Sequence, residues 1–416
     1  MKLKLLTASI CVALAPVSAN VSALDFNDGK FTANIAFSQN FQTPLEIDPD
    51  SDAVLINAQD EDAESGFNRI RFSLELNAQF TEKISAFIEL AEEPNDFGGS
   101  GSAFDIKNDL SWIEIDFTKN ISVRIGNVVP TTMNFIRYTD GARVQNNPLV
   151  GNGSNDIITA ETGSWITGSH DTNLGVWDYN LTVTRPSFFE DFNEDAGYNY
   201  TARSSLKTSS GFGFGAGFFK STGDADCTAG ICTTVGGVRG GGPLQGDGDP
   251  YSFASTQTGA RNKHVGLAPG IDAYAWQADV LYENDRFTAH GFFGQVNDNF
   301  SFAAGDLQTD GGAGIFSTTD AEYNFWGLFG RANIIRDELF VAGRWTASSN
   351  EADGINSDES LHRIQGGIGW WPSDKVLVKA EYVYQKEEAN SGGGACAFGT
   401  GECEWEGLVF DVSTAF

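Results

Sequence analysis

The stretch Arg69-Ile70-Arg71-Phe72-Ser73-Leu74-Glu75-Leu76-Asn77-Ala78-Gln79-Phe80 alternates polar and apolar residues from end to end. Because successive side chains of a β-strand point to opposite faces, one face of this strand is apolar and the other is polar. A strand of about ten residues with this pattern is typical of a barrel that has lipid outside and water inside. A closed barrel also pairs every backbone group within the membrane, since it has no free edge. The stretch therefore predicts one strand of a transmembrane β-barrel.

The same alternation recurs along the chain in sixteen segments, which we interpret as sixteen strands. Short connections such as 81–83 and 118–120 alternate regularly with long ones such as 130–159 and 222–270. That asymmetry is typical of an all-β, transmembrane, antiparallel up-and-down β-barrel with short periplasmic turns and long extracellular loops. The predicted strands cover residues 30–42, 67–80, 84–93, 108–117, 121–129, 160–170, 174–185, 197–207, 211–221, 271–283, 286–297, 322–335, 338–348, 360–371, 375–387 and 404–416.

The N-terminus has the features of an export signal. Lys2 and Lys4 give a positive start, residues 5–17 are apolar, and Val21-Ser22-Ala23 is typical of a cleavage site. We therefore predict a signal peptide over residues 1–23 and a single β-barrel domain over residues 24–416. No apolar run in the predicted mature chain reaches the roughly 18 residues that a transmembrane helix needs.

The chain is strongly acidic, with a formal net charge of −30. Proteins that bind nucleic acid need a basic surface, so we predict no nucleic-acid partner. The four histidines are His170 in a predicted turn, His264 in a long loop, and His290 and His362 in strands. None has a nucleophile motif beside it, and a hydrolytic site needs a base that activates a nucleophile. We therefore predict a protein that is not an enzyme and that uses neither a cofactor nor a metal.

Four cysteines follow the predicted signal peptide, in two close pairs within Gly-rich stretches. In an exported protein such pairs indicate local disulfides, so Cys227–Cys232 and Cys396–Cys403 are the expected bridges. Four cysteines allow three pairings, and the spacing leaves that choice open. A zinc site is the other interpretation, but no histidine lies near either pair in the sequence.

The chain ends in a strand pattern in which Leu408, Phe410, Val412 and Phe416 share one face. This end resembles bacterial outer-membrane barrels, whose last strand ends in Phe and is recognised by the barrel-assembly machinery. Together with sixteen strands, a signal peptide and asymmetric loops, it makes the whole mature chain similar to the sixteen-stranded porin superfamily of Gram-negative outer membranes. The resemblance implies a water-filled channel for passive diffusion of small hydrophilic solutes and ions. It also implies a homotrimer in contact with outer-membrane lipid and lipopolysaccharide.

The third long connection, residues 130–159, is called loop 3 below. In the porin superfamily this loop folds into the barrel and narrows it, and the resemblance implies the same here. Loop 3 carries apolar residues that suit packing inside a lumen better than exposure on an outer loop: Phe135, Ile136, Leu149 and Val150. The short acidic-aromatic-Gly motif of enterobacterial general porins has no close match in it. The charged residues that we expect at the constriction are Arg137, Asp140 and Arg143.

Strand parity predicts which charged side chains point into the lumen. Arg suits such a wall because its charge is permanent and its planar fork binds carboxylate and phosphate oxygens. Cations and carboxylates on facing walls create a transverse field that orients polar solutes, whereas cross-strand pairs of them stabilise a wide barrel. Both roles stay open. The predicted pore-lining residues are Arg69, Arg71, Arg124, Arg344, Arg363, Lys379, Glu75, Glu89, Glu114, Asp116 and Glu381.

Two features of the sequence point to opposite ion selectivities. The first long loop, residues 43–66, holds many acids and no Lys or Arg, which concentrates cations at the mouth. An Arg-lined constriction instead favours anions. The charge of the mouth acts only over a Debye length of about 8 Å at physiological salt. The charges at the constriction should therefore determine the ion selectivity. We favour a general pore, with a phosphate-like anion porin and a non-conducting structural or adhesive barrel as the alternatives.

Overall fold

The computed structural model describes most of the predicted strands and a few residues of the long connections. Among the residues it describes, no helix is long and apolar enough to cross a membrane. The described residues are 24–26, 30–49, 66–92, 107–128, 147–149, 161–185, 198–221, 224–228, 231–235, 274–298, 321–350, 359–389 and 401–416.

The described part of the chain is built from β-strands joined by turns. In chain order they are β1 (Leu24–Phe26), β2 (Phe31–Pro49), β3 (Gly66–Thr81), β4 (Ile84–Glu92), β5 (Lys107–Thr118), β6 (Ile121–Val128), β7 (Glu161–Thr172), β8 (Gly175–Arg185), β9 (Asn199–Thr208), β10 (Phe212–Ser221), β11 (Asp224–Thr228), β12 (Ile231–Val235), β13 (Tyr274–Glu283), β14 (Phe287–Asp298), β15 (Ala321–Ile335), β16 (Leu339–Asn350), β17 (Glu359–Ser373), β18 (Val376–Ala389) and β19 (Gly401–Ala415).

Sixteen of these strands, β2 to β10 and β13 to β19, form one closed antiparallel barrel. Each strand pairs with the next along the chain, and β19 pairs with β2 to close the ring. The closure reaches the last residue, because the backbone N–H of Phe416 donates to the carbonyl oxygen of Ile35 at 2.9 Å. The predicted fold class is therefore confirmed. The predicted strand ends lie within three residues of the observed ones, except at the end of β2.

Three details differ from the sequence prediction. β2 continues to Pro49 along β19, so residues 43–49 belong to a strand and not to the first long loop. The register shifts at Pro44, where a bulge accommodates a residue that cannot donate a ladder hydrogen bond. The long connection 222–270 contains the separate hairpin of β11 and β12. His170 lies within β7 and not in a turn, because its register partner on β8 extends the ladder.

The barrel turns its charged and amide residues inward, beside some buried apolar side chains, and its outward residues are mainly apolar. On β17 and β18 the inward Arg363 and Lys379 are 2% and 1% exposed. On β6 and β8 the outward Ile125 and Leu181 are 52% and 50% exposed. A water-soluble protein has the opposite arrangement, since charged side chains are almost never fully buried there and large apolar patches are rarely exposed. The outer face is therefore suited to hydrocarbon and the inner face to water.

Candidate functional site on the inner wall

The basic part of the inner wall lies on the adjacent strands β16, β17 and β18. Each cation here faces a polar residue directly opposite it on the next strand. The Nε of Arg344 donates to Oε1 of Gln365 at 2.6 Å, and the Nε of Arg363 donates to Oε1 of Gln385 at 2.6 Å. The Nζ of Lys379 lies 3.3 Å from Oδ2 of Asp411 on β19. The structure thus places three of the predicted pore-lining cations on the inward faces of three adjacent strands, at different positions along them.

Most of the predicted pore-lining carboxylates lie on the first strands of the barrel. Glu75 on β3 and Glu89 on β4 are directly opposite each other, and both are buried. The amide of Asn34 donates to Oε2 of Glu75 at 3.3 Å. Asp116, near the turn after β5, is exposed. Glu381 is buried two residues beyond Lys379 on β18, so it shares the inward face of that strand with the basic group.

Arg124 on β6 contacts two tryptophan rings and one carboxylate. Its guanidinium carbon lies 4.8 Å from the ring centre of Trp112 on β5 and 5.0 Å from that of Trp165 on β7. Its Nε donates to Oε2 of Glu114, directly opposite on β5, at 2.6 Å. Both side chains of this ion pair remain partly exposed, at 29% and 22%. The rings of Trp112 and Phe87 stack at a centroid distance of 4.2 Å beside the pair.

The sequence prediction missed a buried charged cluster formed by Arg203, Asp279 and His290. The Nη2 of Arg203 lies 2.8 Å from Oδ2 of Asp279, and the Nε2 of His290 lies 3.3 Å from the same oxygen. Gly215 makes room for it, because an added Cβ there would come within 2.3 Å of the Arg203 guanidinium. Parity along β9 was the available signal, since Arg203 alternates with the outward-facing Ala202 and Ser204.

Three residues of loop 3, 147–149, lie against this wall. The Nζ of Lys379 donates to the carbonyl oxygen of Asn147 at 3.3 Å. Leu149 is completely buried in a cluster with inward residues of β15, β16 and β18. Leu149 is one of the apolar residues that the sequence singled out, and the structure gives it wall contacts. Its cluster partners are Phe329, Phe340, Ala342 and Leu377, with Trp371 packed at the edge.

Several predicted residues fall outside what the structure describes. Arg69 and Arg71 have their backbones in β3, opposite Asn40 and Ser38, but their side chains lie outside the described residues. The hairpin of β11 and β12 places Cys227 directly opposite Cys232. Such cross-strand partners have Cα atoms about 4.5–5.5 Å apart, which is compatible with a disulfide. The remaining positions outside the described residues are the signal segment 1–23, most of the first long loop, Phe135, Ile136, Arg137, Asp140, Arg143, Val150, His264 and Cys396.

No protein-family model and no curated protein sequence matches the chain. Solved structures do match it over nearly its whole length. The outer-membrane channel DcaP of Acinetobacter baumannii is 10% identical with a TM-score of 0.54, and the match covers 95% of this chain and 100% of that one. The anion-selective porin of Comamonas acidovorans is 13% identical with a TM-score of 0.54, over 93% and 99%. Salmonella typhi OmpF is 10% identical with a TM-score of 0.56, over 94% and 100%. The chain therefore has the closed sixteen-stranded antiparallel barrel fold of outer-membrane porins.

Proposed function

We propose that the chain is a porin of the bacterial outer membrane, a water-filled channel through which small hydrophilic solutes and ions diffuse passively. The observation that carries this proposal is the inverted polarity of the barrel. Charged and amide side chains such as Arg344, Gln365 and Lys379 face inward, whereas Ile125 and Leu181 face outward. Barrels with 16 to 18 strands are wide enough to leave an aqueous channel, in contrast to barrels of about eight strands. The likeness to solved channels of the same fold supports a channel in general.

The inner wall favours a general pore over a strict filter. Carboxylates on β3 and β4 and cations on β16 to β18 lie on different parts of the same wall, so this wall carries both signs of charge. Loop 3 narrows the lumen in this proposal, and the contacts of Asn147 and Leu149 with the wall support that role. Arg137, Asp140 and Arg143 of the same loop are proposed to line the narrowest part.

A second candidate function is a channel that prefers anions such as phosphate. Arg344, Arg363 and Lys379 lie on three adjacent strands, and two of them bond to neutral Gln side chains. Rings of Arg and Lys are one way in which pores select anions. The acidic net charge of −30 opposes this preference at the mouth, where screening limits its reach.

The remaining assignments follow from the porin proposal. We propose a homotrimer surrounded by outer-membrane lipid and lipopolysaccharide, exported by residues 1–23 and assembled through recognition of Phe416. The backbone pairing of Phe416 with Ile35 supports a structural role for the last residue in closing the barrel. Disulfides Cys227–Cys232 and Cys396–Cys403 are proposed for the long loops, and the register of the first pair supports it.

Planar-bilayer recording on the purified protein tests the proposal. We expect steady single-channel conductance in KCl, and a barrel that never conducts would support a structural or adhesive role instead. Reversal potentials in a KCl gradient then measure selectivity. Arg344→Gln and Arg363→Gln should shift it toward cations, because each removes a positive charge from the inner wall. Arg336→Gln, in an exposed periplasmic turn, is the matched control and should leave the reversal potential nearly unchanged.

A further inference from the structure

One row of inward residues crosses four neighbouring strands in exact register. Arg124 on β6 is directly opposite Trp165 on β7, Trp165 is opposite Thr182 on β8, and Thr182 is opposite Thr201 on β9. Trp165, Thr182 and Thr201 are 6%, 2% and 3% exposed, so each is more than nine-tenths buried. These four residues are called the β6–β9 row below.

The β6–β9 row contains buried polar atoms that have no hydrogen-bond partner among the residues that the structure describes. They are the indole Nε1 of Trp165 and the hydroxyl oxygens of Thr182 and Thr201. Nearly all buried polar groups in native proteins are hydrogen-bonded, because an unsatisfied one costs about 1–3 kcal/mol. These three atoms lie in one register line on the inner wall, and each can take a hydrogen-bond partner that the described residues do not supply.

Arg124 presents its charge to the same row. Its Nε donates to Glu114, and its guanidinium carbon lies over the rings of Trp112 and Trp165. Among the described residues, the two Nη nitrogens have no hydrogen-bond partner. Both rings attract the guanidinium by cation–π interaction, and its planar fork is the geometry that binds a carboxylate through two parallel hydrogen bonds.

The chemistry of the row favours an oxyanion. The indole N–H can only donate, the guanidinium can only donate, and each threonine hydroxyl can donate. The nearest carboxylate, Glu114, already accepts from Arg124, which offsets its charge. The stacked rings of Phe87 and Trp112 lie beside the guanidinium and offer an apolar surface to the body of an organic acid. A metal cation would be repelled by the charge of Arg124 and would find only the two threonine hydroxyls as acceptors along the row.

We propose that the β6–β9 row is a binding site for the carboxylate group of small organic acids passing through the channel. Arg124 and the Nε1–H of Trp165 bind the carboxylate, and the hydroxyl of Thr182 lies next along the row. This assignment deepens the proposed channel function and rests on it. The row would then hold carboxylates transiently during passage, whereas neutral solutes of the same shape would not bind there.

The test uses the purified full-length barrel and potassium benzoate as the probe. Calorimetric titration measures benzoate binding in detergent solution, and block of the KCl current in planar bilayers measures the same event in the pore. Benzamide is the neutral match, and inorganic phosphate shows whether any oxyanion suffices. Trp165→Phe keeps a ring over Arg124 but removes the Nε1–H, and Arg124→Lys keeps the charge but removes the fork. Trp177→Phe, on an exposed outward tryptophan of β8, is the matched control.

We expect benzoate to bind and benzamide to bind far more weakly, if at all. Trp165→Phe and Arg124→Lys should each weaken benzoate binding by about tenfold or more, since each removes hydrogen bonds to a charged group. Trp177→Phe should leave it unchanged. Equal affinity of wild type and both row variants would overturn the site, and so would equal binding of benzoate and benzamide. Tighter binding of phosphate than benzoate would overturn the carboxylate assignment. A barrel that binds benzoate but never conducts would instead overturn the channel function and leave the site standing.

Discussion

Replacing Leu149 with Ala should release loop 3 from the inner wall. Leu149 is completely buried against Phe329, Phe340 and Leu377, so the shorter side chain leaves an unfilled space in that cluster. The second described anchor is the hydrogen bond from Lys379 to the Asn147 carbonyl oxygen, at the long distance of 3.3 Å. The apolar contact is therefore the stronger of the two anchors that the structure describes.

The size of the effect follows from the burial of Leu149. Replacing a buried Leu with Ala costs about 2–5 kcal/mol, from lost transfer free energy plus the cavity. The loss falls on the docked form of loop 3, because a detached loop exposes either side chain to water. Even about 2 kcal/mol lowers the ratio of docked to detached loop by about 30-fold, since about 1.4 kcal/mol is a factor of ten. If loop 3 is almost always docked in the wild type, the variant should spend a measurable part of its time with loop 3 detached.

Single-channel recording measures this change as current noise. Leu149→Ala should add frequent transitions between two conductance levels, whereas wild type stays at one. Leu174→Ala is the control, because Leu174 is 70% exposed in the short turn between β7 and β8. Circular dichroism should show the same strand content for all three proteins, since residue 149 lies outside the barrel strands. If the variant kept wild-type conductance and noise in a folded barrel, the anchoring role of Leu149 would be refuted.

Three further predictions concern the barrel itself. Ile125→Arg, near the middle of β6 on the lipid side, should lower the free energy of unfolding in lipid vesicles by about 2–4 kcal/mol, measured by urea titration; an unchanged value would show that this face does not meet lipid. Asp279→Ala leaves the guanidinium of Arg203 buried without its carboxylate, so unfolding should become easier by about 3–5 kcal/mol in the same assay, and a smaller loss would mean that the pair is solvated. Under non-reducing conditions Cys227 and Cys232 should resist thiol labelling and become reactive after reduction, whereas labelling without reductant would rule out their bridge.

The fold could be predicted because each barrel strand repeats the same constraint. Residues 69–80 alternate without interruption, and a strand in a membrane tolerates few exceptions on its lipid side. The prediction failed where the constraint is weaker. β2 runs on to Pro49, but Pro44 and Pro49 resemble loop residues because neither can donate a backbone hydrogen bond. The pairing with β19 that extends this strand is a contact between the two ends of the chain.

The site could be predicted only in part, because strand parity indicates which side chains point inward but not which residues they contact. Parity pointed Arg344, Arg363 and Lys379 inward. It could not show that Lys379 reaches Asn147, which is 232 residues away along the chain. The cluster of Arg203 and Asp279 spans 76 residues. It depends on Gly215, which is opposite Asp279 on β10, a strand whose alternation the glycines dilute.

The two faces of the barrel constrain the sequence differently, and this explains why the fold does not identify the transported solute. The outward face must only be apolar, so many sequences satisfy it, and solved channels at 10–13% identity share the fold over more than nine-tenths of the chain. The inward face carries charged and amide residues beside buried apolar ones such as Phe340 and Leu377, and its polar residues are available for selectivity. What they select depends on register. A slip of two residues between β6 and β7 keeps every side chain on its face, yet it places Arg124 opposite Gly163 or Thr167 rather than Trp165. The β6–β9 row therefore exists only at one register, which pairing along the whole barrel sets.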